Sequence, residues 1–274
     1  MNEKSTENIE LELLIEAVHK KYGYDFRSYA RASLYRRIRQ RMNQENIASA
    51  SLMQHRILHD TEFFELLLLD LSINVTAMFR DPEFYKAVRE KIIPVLKTFP
   101  FIKVWHAGCS TGEEVYSMAI LLIEENLYER AQIYATDFNE VVLKKAKEGI
   151  IAIERVKDFT SNYQKSGGSL SFSDYYAAKY NFAIMDQSLK KNIVFADHNL
   201  ASDGVFGEMN LIICRNVFIY FNKELQNRAA GLFHDSLRRH GFLCLGTKES
   251  LRFTKYENNF EVLDKSLKIY RKSN

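Results

Sequence analysis

Val104–Leu122 reads VWHAGCSTGEEVYSMAILL, an apolar strand, a loop of small residues and an amphipathic helix. This is the opening unit of a nucleotide-binding α/β domain. The loop, however, ends in two acids, Glu113 and Glu114, where a phosphate-binding loop would offer bare amides or a lysine. A dinucleotide fits poorly, because AGCSTGEE is not G-x-G-x-x-G and two anions would repel a pyrophosphate at the helix N-terminus. S-adenosylmethionine fits, since it lacks phosphate and carries a positive sulfonium and a positive amino group that carboxylates can hold. The plainer alternative is that both acids only complement the helix dipole. Asp137 closes the next strand, where a carboxylate can grip ribose hydroxyls, and it favours a ligand.

Outward from this unit, short β-branched runs alternate with helical segments: IKVWHA, AQIYATD, NIVFADHN, MNLIICRN, GFLCLGT and LKIYRK. The alternation predicts a mainly parallel, doubly wound sheet. No long helix separates 241–247 from 267–271, so these two form an antiparallel pair. Residues 150–191 lose the pattern. The SGGS turn signal at 166–169 and the strand-like SLSFSDYY predict a small antiparallel β insertion there. The first hundred residues read as helical. Leu11, Leu14, Ile15 and Val18 recur at helical spacing, Gly23 is a stop, and DTEFFELLLLDLSI is long enough for a buried helix. A further helix follows Asp81-Pro82 and ends near Pro94. The expected fold class is α/β: an all-helical N-terminal domain over 1–95, then a Rossmann-like doubly wound domain over 96–274 that carries the insertion.

Lys and Arg number 38 against 35 Asp and Glu, a net charge of +3 that is too small to name a partner. Its distribution says more, with six arginines and no acid from Arg27 to Arg41. A solvated face, nucleic-acid contact and substrate docking are all open to that segment. The absence of an aromatic platform and the balanced charge elsewhere speak against nucleic acid. Cys109, Cys214 and Cys244 have no paired spacing, which argues against a disulfide framework or zinc and suits a reducing compartment. The acidic N-terminus lacks the layout of a signal peptide, and no apolar run approaches the roughly 20 residues of a membrane span. A cytoplasmic protein without membrane insertion is expected. His106 and His198 lack metal-ligand spacing, and no metal is expected.

The strings INVTAMFRDPEF, VWHAGCSTGEEVYSMAI, ATDFNEVVLKKAKEGI, VFADHNL, MNLIICRNVFIYFNKELQ and GFLCLGTKESL, in this order, resemble the chemotaxis receptor methyltransferases, the CheR family. The resemblance runs from YGYDFRSY to KIYRK. It implies methyl transfer from S-adenosylmethionine, giving S-adenosylhomocysteine, to glutamate side chains on the cytoplasmic signalling helices of chemotaxis receptors. A receptor C-terminal tail peptide is a second partner that it implies. Carried over by motif, the cofactor contacts are Asn74, Thr76, Arg80 and Glu114, with Asp137 on the ribose and Asn199, Leu200, Arg215 and Asn216 completing the pocket. Arg80 and Tyr220 are the residues placed near the transferred methyl, the catalytic pair. Met78 and Lys248 depart mildly from the family pattern, and 150–191 matches it least.

Two function classes follow, an active protein-glutamate O-methyltransferase and a non-catalytic, cofactor-binding adaptor. Retention of Asn74, Arg80, Glu114, Asp137 and Tyr220 together favours the enzyme. Read without the family, Arg80 caps a helix or pairs with Asp81 or Glu83; Tyr220 is open to a core role, but its place shortly after a predicted strand end favours function. Receptor signalling helices of this kind are acidic around their methylated sites, so the resemblance favours substrate docking for the basic segment Arg31–Arg41.

Overall fold

The computed structural model describes residues 3–72 and 76–273. Four helices come first: α1 (Glu3–Tyr22), α2 (Arg31–Gln44), α3 (Ala50–His59) and α4 (Thr61–Leu71). Gly23 ends α1 at a φ of +80°, a left-handed conformation that glycine adopts without a Cβ penalty. Ser49 and Asp60 cap α3 and α4, accepting from the amides of Leu52 and Phe63. Leu11, Leu14 and Val18 meet Ile38, Ile57 and Leu67 in one core. The arginines of α2 stay outside it: Arg31 pairs with Glu12, Arg39 with Glu7 at 2.6 Å, and Arg41 with Asp70 at 2.5 Å. Acids remote in sequence are folded back onto the basic run.

The next helix ends at Leu96, close to Pro94 as expected, but it is not a regular α-helix. It runs as α5 (Pro82–Ala87), a π turn (Val88–Ile92) and α6 (Ile93–Leu96). The Ile93 amide donates to the Val88 carbonyl, five residues back. That widened turn makes room for a proline ring that would clash in a regular α-helix.

The rest of the chain runs β1 (Ile102–Ala107), α7 (Glu113–Glu124), β2 (Ala131–Asp137), α8 (Glu140–Glu148), β3 (Ile150–Ala152), α9 (Val156–Lys165) and β4 (Tyr176–Lys179). It continues as β5 (Phe182–Met185), β6 (Ile193–Asp197), β7 (Met209–Cys214), α10 (Lys223–Ser236), β8 (Leu237–Leu245), β9 (Phe260–Asp264) and β10 (Ile269–Lys272). The main sheet has the order β6-β2-β1-β7-β8-β10-β9 and is parallel from β6 to β8. Every residue of β7 is buried, as in a sheet covered on both faces. Alternate residues serve two cores: Val104, Leu211 and Ile213 pack with α7, while Trp105, Ile212 and Cys214 pack with α10.

The antiparallel pair at the end of the sheet is β8 with β10, as the sequence suggests. Beyond it lies an edge strand, β9, that the sequence reading missed. Glu261 and Val262 are exposed there, so no apolar alternation marks the strand.

The insertion holds the expected antiparallel sheet, in the order β3-β5-β4. It also contains a helix that was not expected, α9, whose Phe159 and Tyr163 enter the main core. SLSFSDYY is not a strand along its length. Phe172–Tyr175 forms a 3₁₀ turn that buries Phe172 and Tyr175, and β4 begins only at Tyr176. Burial at i and i+3 fits three residues per turn, whereas a strand would bury alternate residues.

The helical region is stitched to the loop after β7. Tyr29 bridges Phe221, the Ala30 amide donates to the Tyr220 carbonyl at 2.7 Å, and the Asn222 amide to the Ser28 carbonyl at 3.0 Å.

Candidate active site

The loop after β1 is built by its neighbours. The amides of Gly108 and Cys109 both donate to the Thr136 carbonyl at 2.8 Å, turning the chain back beside the end of β2. Gly112 starts α7 at a φ of +90°, and any Cβ there would press on Ala146 at 3.1 Å. The next two residues part company. Glu113 is buried away from the cavity, accepting from the Thr111 hydroxyl at 2.6 Å and from Arg155 at 2.9 Å. Glu114 alone lines the cavity. The expectation that both acids face a cationic ligand is thereby corrected, because successive helical residues point about 100° apart.

Glu114 is itself compensated. Burial alone would raise its carboxyl, but His106 at 3.2 Å and Arg215 at 3.0 Å hold it below the usual carboxylate range. The Arg215 side chain is 1% exposed; it also pairs with Asp81 and lies over the Phe84 ring at 4.2 Å. Asp81 pairs with Arg215, and Glu83 with Lys86.

Asp137 ends β2 with its carboxylate at the cavity wall. One oxygen accepts from the Ser110 amide at 2.9 Å and the other from the Asn139 amide at 3.1 Å. Burial pushes its carboxyl up to about 6 despite those bonds. The carboxylate keeps acceptor capacity for a further donor.

On the opposite wall, Asn216 turns at a φ of +63°. The buried Glu249 carboxylate accepts from the amides of Asn216, Ile219 and Gly246 and so fixes the loop that delivers Arg215, Asn216 and Tyr220. Burial raises the Glu249 carboxyl against those donors. Asn199 caps its own turn, accepting from the Ala201 amide at 2.9 Å.

Thr76, Arg80, Glu114, Asp137, Asn199, Leu200, Arg215, Asn216 and Tyr220 all line one cavity. Asn74, the remaining residue chosen from the sequence, lies outside the described residues. The cavity also has walls the sequence reading missed, chiefly Tyr29, Phe138 and Ile219. Phe138 directly follows Asp137 and could have been found there; Tyr29 comes from the helical region and carries no local signal. Supporting contacts from Asp81 and Glu249 were missed as well, because they act across the fold.

The donor set discriminates between ligands. The Ser110 amide is engaged by Asp137, and the near wall carries two carboxylates, so a pyrophosphate would meet repulsion. A ribose diol can donate to Asp137, and an ammonium can approach Glu114. The residues present fit S-adenosylmethionine.

A doubly wound sheet with this cavity at its carboxyl edge defines a methyltransferase domain of the S-adenosylmethionine-dependent class. The chain belongs to the CheR methyltransferase family: residues 74–269 match its SAM binding domain and residues 9–72 its all-alpha domain. It is 53% identical over 273 residues to a Pseudomonas putida chain named provisionally as the methyltransferase Cher3, covering 100% of both. It is 30% identical to a chemotaxis protein methyltransferase of Listeria innocua, covering 85% of this chain and 87% of that one. A chemotaxis protein methyltransferase of Borreliella burgdorferi is 27% identical, with 90% and 89% covered. The chain is an S-adenosylmethionine-dependent methyltransferase of the chemotaxis type.

Proposed function

We propose that the protein is a glutamate O-methyltransferase that esterifies side chains on the cytoplasmic helical domain of chemotaxis receptors. The observation that carries this reading is the juxtaposition of Arg80 and Tyr220 with Glu114 and Asp137 around one cavity at the carboxyl edge of the sheet. Bound S-adenosylmethionine supplies a sulfonium-activated methyl group. Asp137 would accept from the ribose hydroxyls, and Glu114 and Thr76 would face the amino-acid end, while Asn74 is carried over by motif alone. Asn199, Leu200, Arg215 and Asn216 enclose the remainder.

The substrate glutamate, with an ordinary value near 4.3, is already ionised at neutral pH, so no general base is needed. What the chain supplies is alignment and exclusion of water, worth roughly 7–11 kcal/mol when both reactants are held in line. Arg80 steers the carboxylate. The Tyr220 hydroxyl remains a donor, because burial raises its phenol against the opposing fields of Arg37 and Arg80. Too strong a pair with Arg80 would blunt the nucleophile, so Arg80 serves to orient it.

The reading divides the chain into a helical domain over 1–95 and a catalytic domain over 96–274. The insertion's edge strand β4 is offered to a receptor tail by strand addition. Among the described residues no helix is long and apolar enough to cross a membrane. A receptor's signalling helices place the enzyme in the cytoplasm. The test is transfer of labelled methyl from S-adenosylmethionine to receptor cytoplasmic fragments. Base-labile label on glutamate supports the reading, and cofactor binding without any transfer supports the adaptor instead.

A further inference from the structure

A second hollow, of about 720 Å³, lies on the same edge of the sheet as the cavity. Ile219 lines both, so the short segment after β7 is the wall between them. Four cationic side chains border the hollow: Lys248, Arg252, Lys265 and Lys268. Their positions follow from topology. Lys248 comes just after β8, Lys265 and Lys268 lie in the turn from β9 to β10, and the Leu245 amide donates to the Lys268 carbonyl at 3.1 Å. All therefore stand beyond the carboxyl end of β8, the edge where ligands of open α/β sheets bind.

None of these four cations is in a salt bridge among the described residues, whereas Arg31, Arg39 and Arg41 of α2 each are. One exposed acid, Glu257, lines the hollow, and its carboxylate accepts from the Phe253 amide at 2.8 Å. Apolar groups are exposed between the charges. Phe253 is 77% exposed, with Arg252 over its ring at 4.7 Å, and Val262 is 54% exposed.

We propose that this hollow is a docking surface for the acidic helical face of the protein substrate, gripping it beside the glutamate that enters the cavity. The inference rests on the reading of the substrate given above. Charge complementarity selects the occupant: a row of uncompensated cations interleaved with apolar side chains suits an acidic amphipathic helix. A polynucleotide could use the cations and stack a base on Phe253, but it would leave Val262 without a partner, and a single exposed ring is a poor platform for a strand. Continuity with the cavity supplies the rest, since a helix delivering one side chain past Ile219 must lie across neighbouring surface.

The test is the triple variant Lys248→Glu, Arg252→Glu, Lys265→Glu in the full chain. The probe is a fluorescent, glutamate-rich receptor cytoplasmic fragment, with a single-stranded oligonucleotide of equal net charge as competitor. Exposed charges each contribute little, so three reversals together should weaken fragment binding about tenfold and raise KM for the fragment alike. Turnover at saturating fragment and the affinity for S-adenosylhomocysteine should stay at wild-type values. The wild-type dependence of KM on salt should flatten in the variant. Unchanged fragment affinity in a folded variant would overturn the proposal, and so would an oligonucleotide that displaces the fragment at lower concentration. If the single variant Lys248→Glu is the only one that folds, a loss of roughly twofold is expected and none refutes. Absence of methyl transfer by the wild type, with fragment binding still dependent on the hollow, would instead sink the substrate chemistry and leave the docking surface standing.

Discussion

Two groups of charges in this molecule behave oppositely, although both are rich in arginine. At the cavity, Arg215 is 1% exposed at its side chain and tied to Glu114 and Asp81. On α2, Arg39 is 44% exposed and tied to Glu7, itself 39% exposed. The first group fixes a wall of the cavity from within, while the second decorates a helix whose apolar stripe does the folding. A count of charges cannot tell these apart; burial and partners do.

The sharpest way to break the contrast is Arg215→Ala. It leaves Glu114 buried with His106 as its remaining polar partner and removes the grip on Asp81, which starts α5. Breaking a buried pair from one side costs about 3–5 kcal/mol, so the urea midpoint should drop accordingly and S-adenosylhomocysteine binding should vanish. A midpoint shift no larger than that of a surface variant would erase the distinction between the two groups.

Next in size is Asp137→Ala, which should weaken S-adenosylmethionine and S-adenosylhomocysteine by roughly 10–100-fold in calorimetry. Its pH dependence sharpens the point. Because the carboxyl sits up at about 6, the ribose-accepting form is lost below that pH. Affinity should be level above pH 7 and fall toward tenfold per unit below 6. The same shift has the opposite sign for the ligand-free fold. A raised carboxyl binds its proton more tightly folded than unfolded, so this group's contribution to stability declines as pH rises from about 4 to about 6 and is constant beyond. Asp137→Ala should lose both pH effects together; a wild-type affinity that is flat from pH 7 to 5 would remove the ionised carboxylate from ribose recognition.

What could be read from the sequence divides along the same line. Cavity residues that follow a strand end, such as Glu114, Asp137 and Asn199, are legible, because the carboxyl edge of a parallel sheet is defined by the strand pattern alone. Thr76 and Arg80 rest on family motifs and not on that pattern, whereas Tyr220 has both, since it follows the end of β7 by a few residues. Compensation was not legible. Arg215 and Asp81 stand 134 residues apart, and no spacing announces their pair. Nor does the sequence separate Glu113 from Glu114; only the helix start at Gly112 turns one inward and the other toward the cavity. In the insertion, α9 was hidden because its buried Phe159 and Tyr163 are embedded in a polar stretch, and β9 because its exposed residues break any alternation.

Smaller again is Tyr220→Phe, a test of whether cavity polar groups act on chemistry or only on shape. It deletes one hydroxyl and nearly keeps the packing. A hydrogen bond made fully only at the transition state should cost about tenfold in turnover at constant KM. Methylation of receptor fragment at the wild-type rate would reassign Tyr220 to the cavity wall.

The smallest expected effect belongs to α2. Six arginines without an acid from Arg27 to Arg41 invite the expectation that this helix draws in an acidic partner. In the folded chain Arg39 spends its charge on Glu7, and Arg41 on Asp70 and Glu45. An anion arriving there would have to compete with carboxylates already in place. Arg39→Ala should therefore change stability by less than about 1 kcal/mol and KM for receptor fragment by less than about twofold, because exposed pairs are marginal and screened. Arg37 is different. Its guanidinium donates to the Asp70 carbonyl at 2.8 Å and lies 5.7 Å from the centre of the Tyr220 ring, next to the cavity. Burial lowers its pKa, opposed by Tyr220 and Asp70, so its charge is held at some cost beside the reacting groups. Arg37→Ala should then raise KM several-fold more than Arg39→Ala, with S-adenosylhomocysteine affinity nearly kept. Equal effects from the two would mean that α2 acts as one uniform basic surface, and that its internal ion pairs do not shield it.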